Sequence, residues 1–152
     1  MNQEERLSLL EEALARRLPG QGQWQSVDRG QDTTELEEAR EYQYEIRSDR
    51  SEAQRLVVLL RSDGAVQVEY HAEKPGSPFE ALFPVDDGKE AATVEQVAAF
   101  VADLLGEQLV LGYAKGFWTG GRQFLRPHEV DPPDGRRIRW VTSWRGTHDW
   151  PA

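Results

Sequence analysis

The sequence predicts an α+β protein with a mainly antiparallel sheet, and three observations support this fold class. Two segments have the apolar spacing of amphipathic helices, whereas other segments alternate polar and apolar residues as half-buried strands do. Short turn sequences join these strands, and no unit of strand, helix and strand repeats along the chain. We therefore expect about five or six strands in two meanders, packed by an N-terminal helix and a central helix.

Length and composition set the first limits on the kind of protein. A chain of 152 residues fits one domain, which we predict to span residues 1–152. The absence of cysteine excludes disulfides, thiolate nucleophiles and cysteine-ligated zinc, and it favours a reducing compartment. The first residues do not resemble a signal peptide, and no window approaches the about 20 apolar residues of a membrane-spanning helix. We expect a cytoplasmic protein without a membrane partner.

The charge of the chain is strongly negative and unevenly distributed. The net charge is −9, but residues 1–107 hold 23 acidic and 11 basic side chains, whereas residues 108–152 hold 4 and 7. Because nucleic-acid affinity comes largely from lysine and arginine, we expect no nucleic-acid partner. The acidic part would attract a basic protein partner. The alternative is that its charge only keeps the chain soluble.

The first half of the chain predicts one helix and a three-stranded meander. Leucines recur at intervals of three and four from Glu4 to Leu18, which predicts an amphipathic helix that the following Pro-Gly pair ends. Residues 21–40 predict a loop that can include a short helix near its end. Alternation and the turn Ser62-Asp63-Gly64 then predict three hairpin-connected strands from Glu41 to His71.

The second half predicts a loop, a helix and three more strands. Residues 74–89 contain three prolines and predict a loop held to the core by its aromatic side chains. Thr93 and Gln96 have the spacing of a capping box at the start of a helix that Gly106 ends. A second hairpin follows, in which the glycines of residues 112–121 form the turn rather than a phosphate loop. The last strand is expected from Arg137 to about Trp144, with one face cationic.

Catalytic and metal sites are not predicted. The three histidines each lie near a carboxylate in sequence, but their spacing matches no ligand motif, so we predict no metal and no cofactor. Ser143, His148 and Asp149 contain the residue types of a catalytic triad, but no nucleophile-elbow motif accompanies them. The chain is more consistent with a binding protein than with an enzyme.

Tryptophan and arginine are concentrated near the C-terminus. Both residue types are enriched at binding hot spots, because a flat ring and a forked donor bind with little loss of entropy. The candidate binding residues are Trp118, Arg139, Trp144, Arg145, His148 and Asp149. The alternative is that Trp140 and Trp144 belong to the core and that the arginines pair with upstream acids.

Three segments of the C-terminal half carry a resemblance to a known class of proteins. Leu104-Leu105-Gly106, Leu109-Val110-Leu111-Gly112 and the stretch from Ser143 to Asp149 resemble small bacterial immunity proteins, which are cytosolic inhibitors of toxins from competing cells. The resemblance implies a non-enzymatic protein that binds one cognate toxin, often through an acidic surface. It assigns no binding residue.

Three functional hypotheses follow from the sequence. The first is a protein-binding domain, specifically an immunity-type inhibitor whose acidic part faces a basic toxin. The second is a small-molecule-binding protein or hydrolase that uses Arg145, His148 and Asp149 near Trp144. The third is a homo-oligomeric module that pairs through an edge strand or the tryptophan-rich surface.

Overall fold

A computed structural model of the chain describes residues 1–18, 22–27, 40–73, 78–84, 86–114, 121–130 and 138–151. Within these ranges the elements follow the order α1 (Gln3–Arg17), β1 (Gln23–Val27), β2 (Glu41–Arg47), β3 (Arg55–Leu60), β4 (Val66–His71), β5 (Phe79–Phe83), α2 (Glu90–Leu105), β6 (Val110–Ala114), β7 (Arg122–Leu125), α3 (Pro127–Val130) and β8 (Ile138–Thr142).

The predicted fold class is confirmed. The described strands form one sheet in the order β1-β2-β3-β4-β5 and a second in the order β7-β6-β8, and every pairing in both is antiparallel. The number of strands was predicted too low, because two strands lie where loops were expected. The chain divides into two compact units, Met1–Ala99 and Phe100–Ala152, and the division falls within α2. The prediction of a single domain stays a prediction.

The predicted meander from Glu41 to His71 is confirmed as β2, β3 and β4. Cross-strand partners share a face of a sheet, so the register separates two faces in this unit. The inner face contains the central cross-strand row Tyr44, Val58 and Val68, each 5% exposed or less. The outer face carries polar and charged side chains. Val57 and Leu59 of β3 lie among them and are buried as well.

Helix α1 forms where leucine spacing predicts it. The side chain of Asn2 caps the helix by accepting a hydrogen bond of 2.8 Å from the backbone N–H of Glu5. Leu10 and Leu14 are 0% and 1% exposed and provide the buried face. The side-chain amide of Gln3 donates hydrogen bonds to the carbonyls of Arg40 and Arg61, at 2.9 and 2.8 Å. These two bonds fix the start of the helix against the ends of β2 and β3.

Two predicted loops contain strands. β1 lies within the predicted loop of residues 21–40, and the ring of its Trp24 packs 5.0 Å from that of Tyr44. Residues 28–39, including the predicted short helix, lie outside the described part. β5 lies within the predicted loop of residues 74–89 and pairs with β4. Both strands are short and at an edge of the sheet, where pairing with a neighbour outweighs flanking residues that favour turns.

Helix α2 begins earlier than predicted. It starts at Glu90, so Thr93 lies within the first turn and its N–H donates to the carbonyl of Lys89, and the predicted capping box is wrong. The predicted end at Gly106 is confirmed, because its N–H bonds to the carbonyl of Ala102 and the helix stops at Leu105.

The second sheet corrects the prediction for the last strand. β8 ends at Thr142, and the pairing of β6 with β8 shifts register between Trp140 and Ile138. Because of this bulge at Arg139, the side chains of Ile138 and Val141 both lie in one buried cluster, which also includes Val110 and Val130. The expected cationic face is therefore wrong, because Val141 is 1% exposed while Arg139 is exposed.

Candidate functional site

The C-terminal stretch that the sequence singles out is an ordered turn after β8. The carboxylate of Asp149 accepts from the backbone N–H of Ser143 at 2.8 Å, and the Ser143 hydroxyl accepts from the N–H of His148 at 3.0 Å. Gly146 has φ of 86°, which a residue with a side chain rarely adopts. The chain then returns to the sheet, where Val141 and Trp150 exchange two backbone hydrogen bonds. These polar side chains close the turn.

A buried carboxylate that sequence reasoning missed holds this turn. Glu107 is 6% exposed and has φ of 58°. Its Oε2 accepts from the backbone N–H groups of Arg145 and Thr147, at 3.2 Å each, and its Oε1 accepts from the Thr147 hydroxyl at 2.6 Å. The Arg145 Nε atom lies 3.5 Å from Oε1. No sequence pattern predicts the structural role of Glu107, because its partners lie about 40 residues later in the chain.

The ionisation of Glu107 follows from these contacts. Burial raises the pKa of the Glu107 carboxyl, but hydrogen bonds from Ser143, Thr147 and the backbone of Arg145 lower it by more. The pKa therefore lies below its ordinary value, and the carboxyl is charged at neutral pH. The charged carboxylate of Glu107 therefore connects the residues that follow α2 with the turn that follows β8, within the second unit.

The predicted binding residues are only partly brought together. Trp144, Arg145, His148 and Asp149 share the turn, with Arg145 exposed and the other three half-buried. Arg139 lies in β8 at the bulge. Trp118 lies outside the described residues. The binding role of this set stays a prediction.

The outer face of the five-stranded sheet is a second candidate site, which can be identified only from the pairing of residues across the strands. Its side chains form three rows that run across the strands. The first row is Gln43, Leu59, Gln67 and Leu82, the second is Glu45, Val57, Glu69 and Glu80, and the third is Arg47, Arg55 and His71. We call the second the acidic row and the third the basic row.

Contacts between charged or titratable side chains connect the acidic row with the basic row. The Nε atom of Arg47 lies 2.7 Å from Oε1 of Glu45, and Nη1 of Arg55 lies 3.7 Å from Oε2 of Glu45. The Nε2 atom of His71 lies 3.9 Å from Oε2 of Glu69. Glu45 thus faces two guanidinium groups.

The imidazole of His71 is held neutral by its surroundings. Burial lowers the pKa of His71, the charge of Arg55 lowers it further, and the charges of Glu45 and Glu80 raise it by less. The side chain of His71 is 19% exposed. At neutral pH His71 therefore adds no full positive charge to the basic row.

A third charged feature is the exposed face of α1. Glu4, Glu5, Glu11 and Glu12 are all exposed there. The basic residues near the end of the helix are ion-paired with Glu95, through an Arg16 contact and an Arg17 contact of 3.7 Å. The four glutamates therefore give the exposed face of this helix its charge.

Among the described residues, no group of three or more histidine, aspartate and glutamate side chains could hold a metal ion. None of the described helices is both long enough and apolar enough to cross a membrane.

Comparison with known proteins returns no relative. No protein-family model, curated protein or solved structure matches this chain.

Proposed function

We propose that this chain is a non-enzymatic protein-binding domain whose acidic first unit binds a basic partner. In its most specific form it is a cytoplasmic immunity-type inhibitor of a basic toxin, as the resemblance of the sequence implies. One observation carries the proposal, namely that the charge divides where the structure divides. Residues 1–99 hold 21 acidic and 11 basic side chains, whereas residues 100–152 hold 6 and 7.

Two surfaces of the first unit support an acidic interface. The exposed face of α1 presents four glutamates, and the acidic row crosses the outer face of the sheet. A field of this sign over one unit steers a basic protein towards that unit and raises its association rate. Charge used only for solubility would not need to be concentrated in one unit.

The polar side chains of the C-terminal turn favour the binding function over hydrolysis. The Ser143 hydroxyl and the Asp149 carboxylate both make hydrogen bonds to backbone N–H groups within the turn. A triad would instead use the carboxylate to orient a histidine and the hydroxyl as a nucleophile. The turn is thus explained as a structural element.

The test is native mass spectrometry of the protein purified from the cells that make it, at about 50 mM and about 300 mM salt. We expect a stoichiometric complex with a basic protein that weakens at the higher salt concentration. A variant with Glu4, Glu5, Glu11 and Glu12 all changed to Gln serves for comparison, after its Tm is shown to match the wild type. Recovery of the chain without a protein partner, or with an acidic partner insensitive to salt, would overturn the proposal.

A further inference from the structure

The basic row lies at one end of the pairing among β2, β3 and β4. Arg47 is the last residue of β2, Arg55 is the first residue of β3, and His71 is the last residue of β4. In the register, Arg55 is directly opposite both Arg47 and His71. Cross-strand partners have their Cβ atoms about 5 Å apart, and like charges at such positions destabilise a sheet. The charge of this row therefore affects how well the strands pair at this end.

The charge of the row depends on the protonation of His71. The carboxylate of Glu45 offsets the two arginines, since its Oε1 lies 2.7 Å from Nε of Arg47 and its Oε2 lies 3.7 Å from Nη1 of Arg55. A neutral His71 adds no charge to this arrangement. A protonated His71 would place a third cation in the row, directly opposite Arg55.

The imidazole of His71 has little contact with water to stabilise a charge. Its side chain is 19% exposed, and its Nε2 atom is buried and makes no hydrogen bond with the described residues. Oε2 of Glu69 lies 3.9 Å from this atom, which is longer than a hydrogen bond. Burial lowers the pKa of His71, and the charge of Arg55 lowers it further. The charges of Glu45 and Glu80 raise the pKa by less.

The segments beside the row carry exposed charges. Asp49, Arg50 and Glu52 lie in the turn between β2 and β3, and Glu73 follows β4. The carboxylate of Glu73 accepts a hydrogen bond of 2.7 Å from the hydroxyl of Ser51, which connects the segment after β4 with this turn. Water and salt screen exposed charges, so these side chains act on the imidazole more weakly than Arg55 does.

We infer that His71 is a proton-sensitive contact of the five-stranded sheet, at which mild acid weakens the pairing of β3 with β4. Separation of the strand ends moves the ring away from Arg55 and into water, where a charge on it costs less. The folded pKa lies below the ordinary value of 6.5, so the open strand ends bind more protons than the paired ends just below pH 6.5. The paired state is therefore fully favoured above about pH 6.5 and loses stability as pH falls through the folded pKa.

Titration of the imidazole is the first test. Two-dimensional NMR spectra of the imidazole C–H groups of the full-length protein follow His71 between about pH 8 and about pH 4. We expect its midpoint below 6.5 and a rise of that midpoint in Arg55→Gln, which removes the cation opposite the ring. Arg47→Gln is the matched control, because Arg47 lies opposite Arg55 rather than His71. It should raise the midpoint by less.

Hydrogen exchange locates the effect in the sheet. Amide protection factors at about pH 7.5 and about pH 5.5 correct for the intrinsic pH dependence of exchange. We expect protection at the pair Leu56 and Tyr70, next to the basic row, to fall about two- to fivefold at the lower pH, which is the effect of a like-charged cross-strand pair. Protection at Leu60 and Val66, at the other end of the same pairing, should change less.

Substitution of the histidine separates its protonation from that of other groups. His71→Gln removes the titrating ring and keeps a polar side chain, so protection at Leu56 and Tyr70 should change little between the two pH values. His128→Gln removes an exposed histidine of α3 and should keep the pH dependence of the wild type. Amide spectra at about pH 7.5 show whether each variant is folded, and the wild-type titration decides the inference if His71→Gln is not.

Four results would overturn this inference. A His71 midpoint at or above 6.5 would mean that the folded sheet accepts the proton as well as the open strand ends do. Equal rises of the midpoint in Arg55→Gln and Arg47→Gln would mean that the cross-strand position of Arg55 is not the cause. Equal loss of protection at both ends of the β3–β4 pairing would show a general effect of acid. The same pH-dependent loss in His71→Gln as in the wild type would assign the effect to another group.

Discussion

At the scale of single residues, Glu107 links two distant parts of the second unit through one buried charge. Its carboxylate accepts three hydrogen bonds from residues 145 and 147 and is 6% exposed. Removing the charge leaves backbone N–H groups without an anionic acceptor, and hydrogen bonds to charged groups are the strong ones. The backbone φ of 58° at this position is a further cost that the contacts offset.

We predict that Glu107→Gln lowers the free energy of unfolding by about 2 to 3 kcal/mol, because the amide cannot accept from all of the donors that surround the carboxylate. Urea denaturation measures this difference. The exposed Glu12→Gln on α1 is the control, with an expected change within about 0.5 kcal/mol. Equal effects of the two changes would show that Glu107 does not hold the turn.

The same contacts predict a pH dependence. The folded pKa of Glu107 is depressed, so its stabilising effect is present at neutral pH and is lost as pH falls through the acid range below its ordinary value. The difference in free energy of unfolding between wild type and Glu107→Gln should therefore shrink between about pH 7 and pH 3. A constant difference over this range would contradict the role of the charge.

At the scale of elements, alternation and leucine spacing predicted the long segments, and pairing across the chain decided the rest. Helix α1 and strands β2 and β4 carry their own periodicity over six or more residues, whereas the apolar run of β3 was predicted as a strand from the turn that follows it. β1 and β5 have five residues each and owe their strand conformation to the neighbour that they pair with. The sequence of a short segment alone does not identify the strand that it will pair with.

The bulge in β8 shows the same limit for the candidate site. Strict alternation places Arg139 and Val141 on one face, but the extra residue of β8 in its pairing with β6 leaves Val141 in the core and Arg139 exposed. The acidic row likewise exists only in the register, since Glu45, Glu69 and Glu80 are far apart in sequence. Charged positions on each strand could be predicted, but their alignment into rows could not.

The bulge predicts opposite outcomes for two substitutions in this strand. Val141→Asp buries a charge at a position that is 1% exposed and should cost about 3 to 5 kcal/mol or prevent folding. Arg139→Asp, at the exposed bulge, should change the free energy of unfolding by less than about 0.5 kcal/mol. Thermal and urea unfolding of the two variants measure the contrast. Similar losses in the free energy of unfolding at both positions would mean that Arg139 and Val141 share one face of β8 and that the strand has no bulge.

At the scale of the whole molecule, one charged residue on an edge strand affects whether two copies of the protein can pair. Among the described strands, β5 lies at an edge of its sheet, and Glu80 is the one charged residue of this strand. Charged residues on edge strands prevent pairing between copies of a protein. We therefore expect Glu80 to oppose the pairing of β5 with a second copy.

We predict that Glu80→Val makes the protein self-associate. The segment 79–83 then reads Phe-Val-Ala-Leu-Phe, an uncharged edge of high strand propensity without proline. Sedimentation velocity at about 100 μM should show dimers or larger species for this variant and a monomer for the wild type, because without the charge at position 80 the hydrophobic effect favours edge pairing.

The matched control is Glu52→Val, which makes the same chemical change at an exposed turn position outside the strands. It should stay monomeric, because an added valine in a turn offers no edge to pair with. Self-association of both variants would mean that lost net charge alone causes association, and a monomeric Glu80→Val would mean that β5 is not an available edge. A wild-type dimer would support the homo-oligomeric hypothesis, because the charge of Glu80 would then not prevent association.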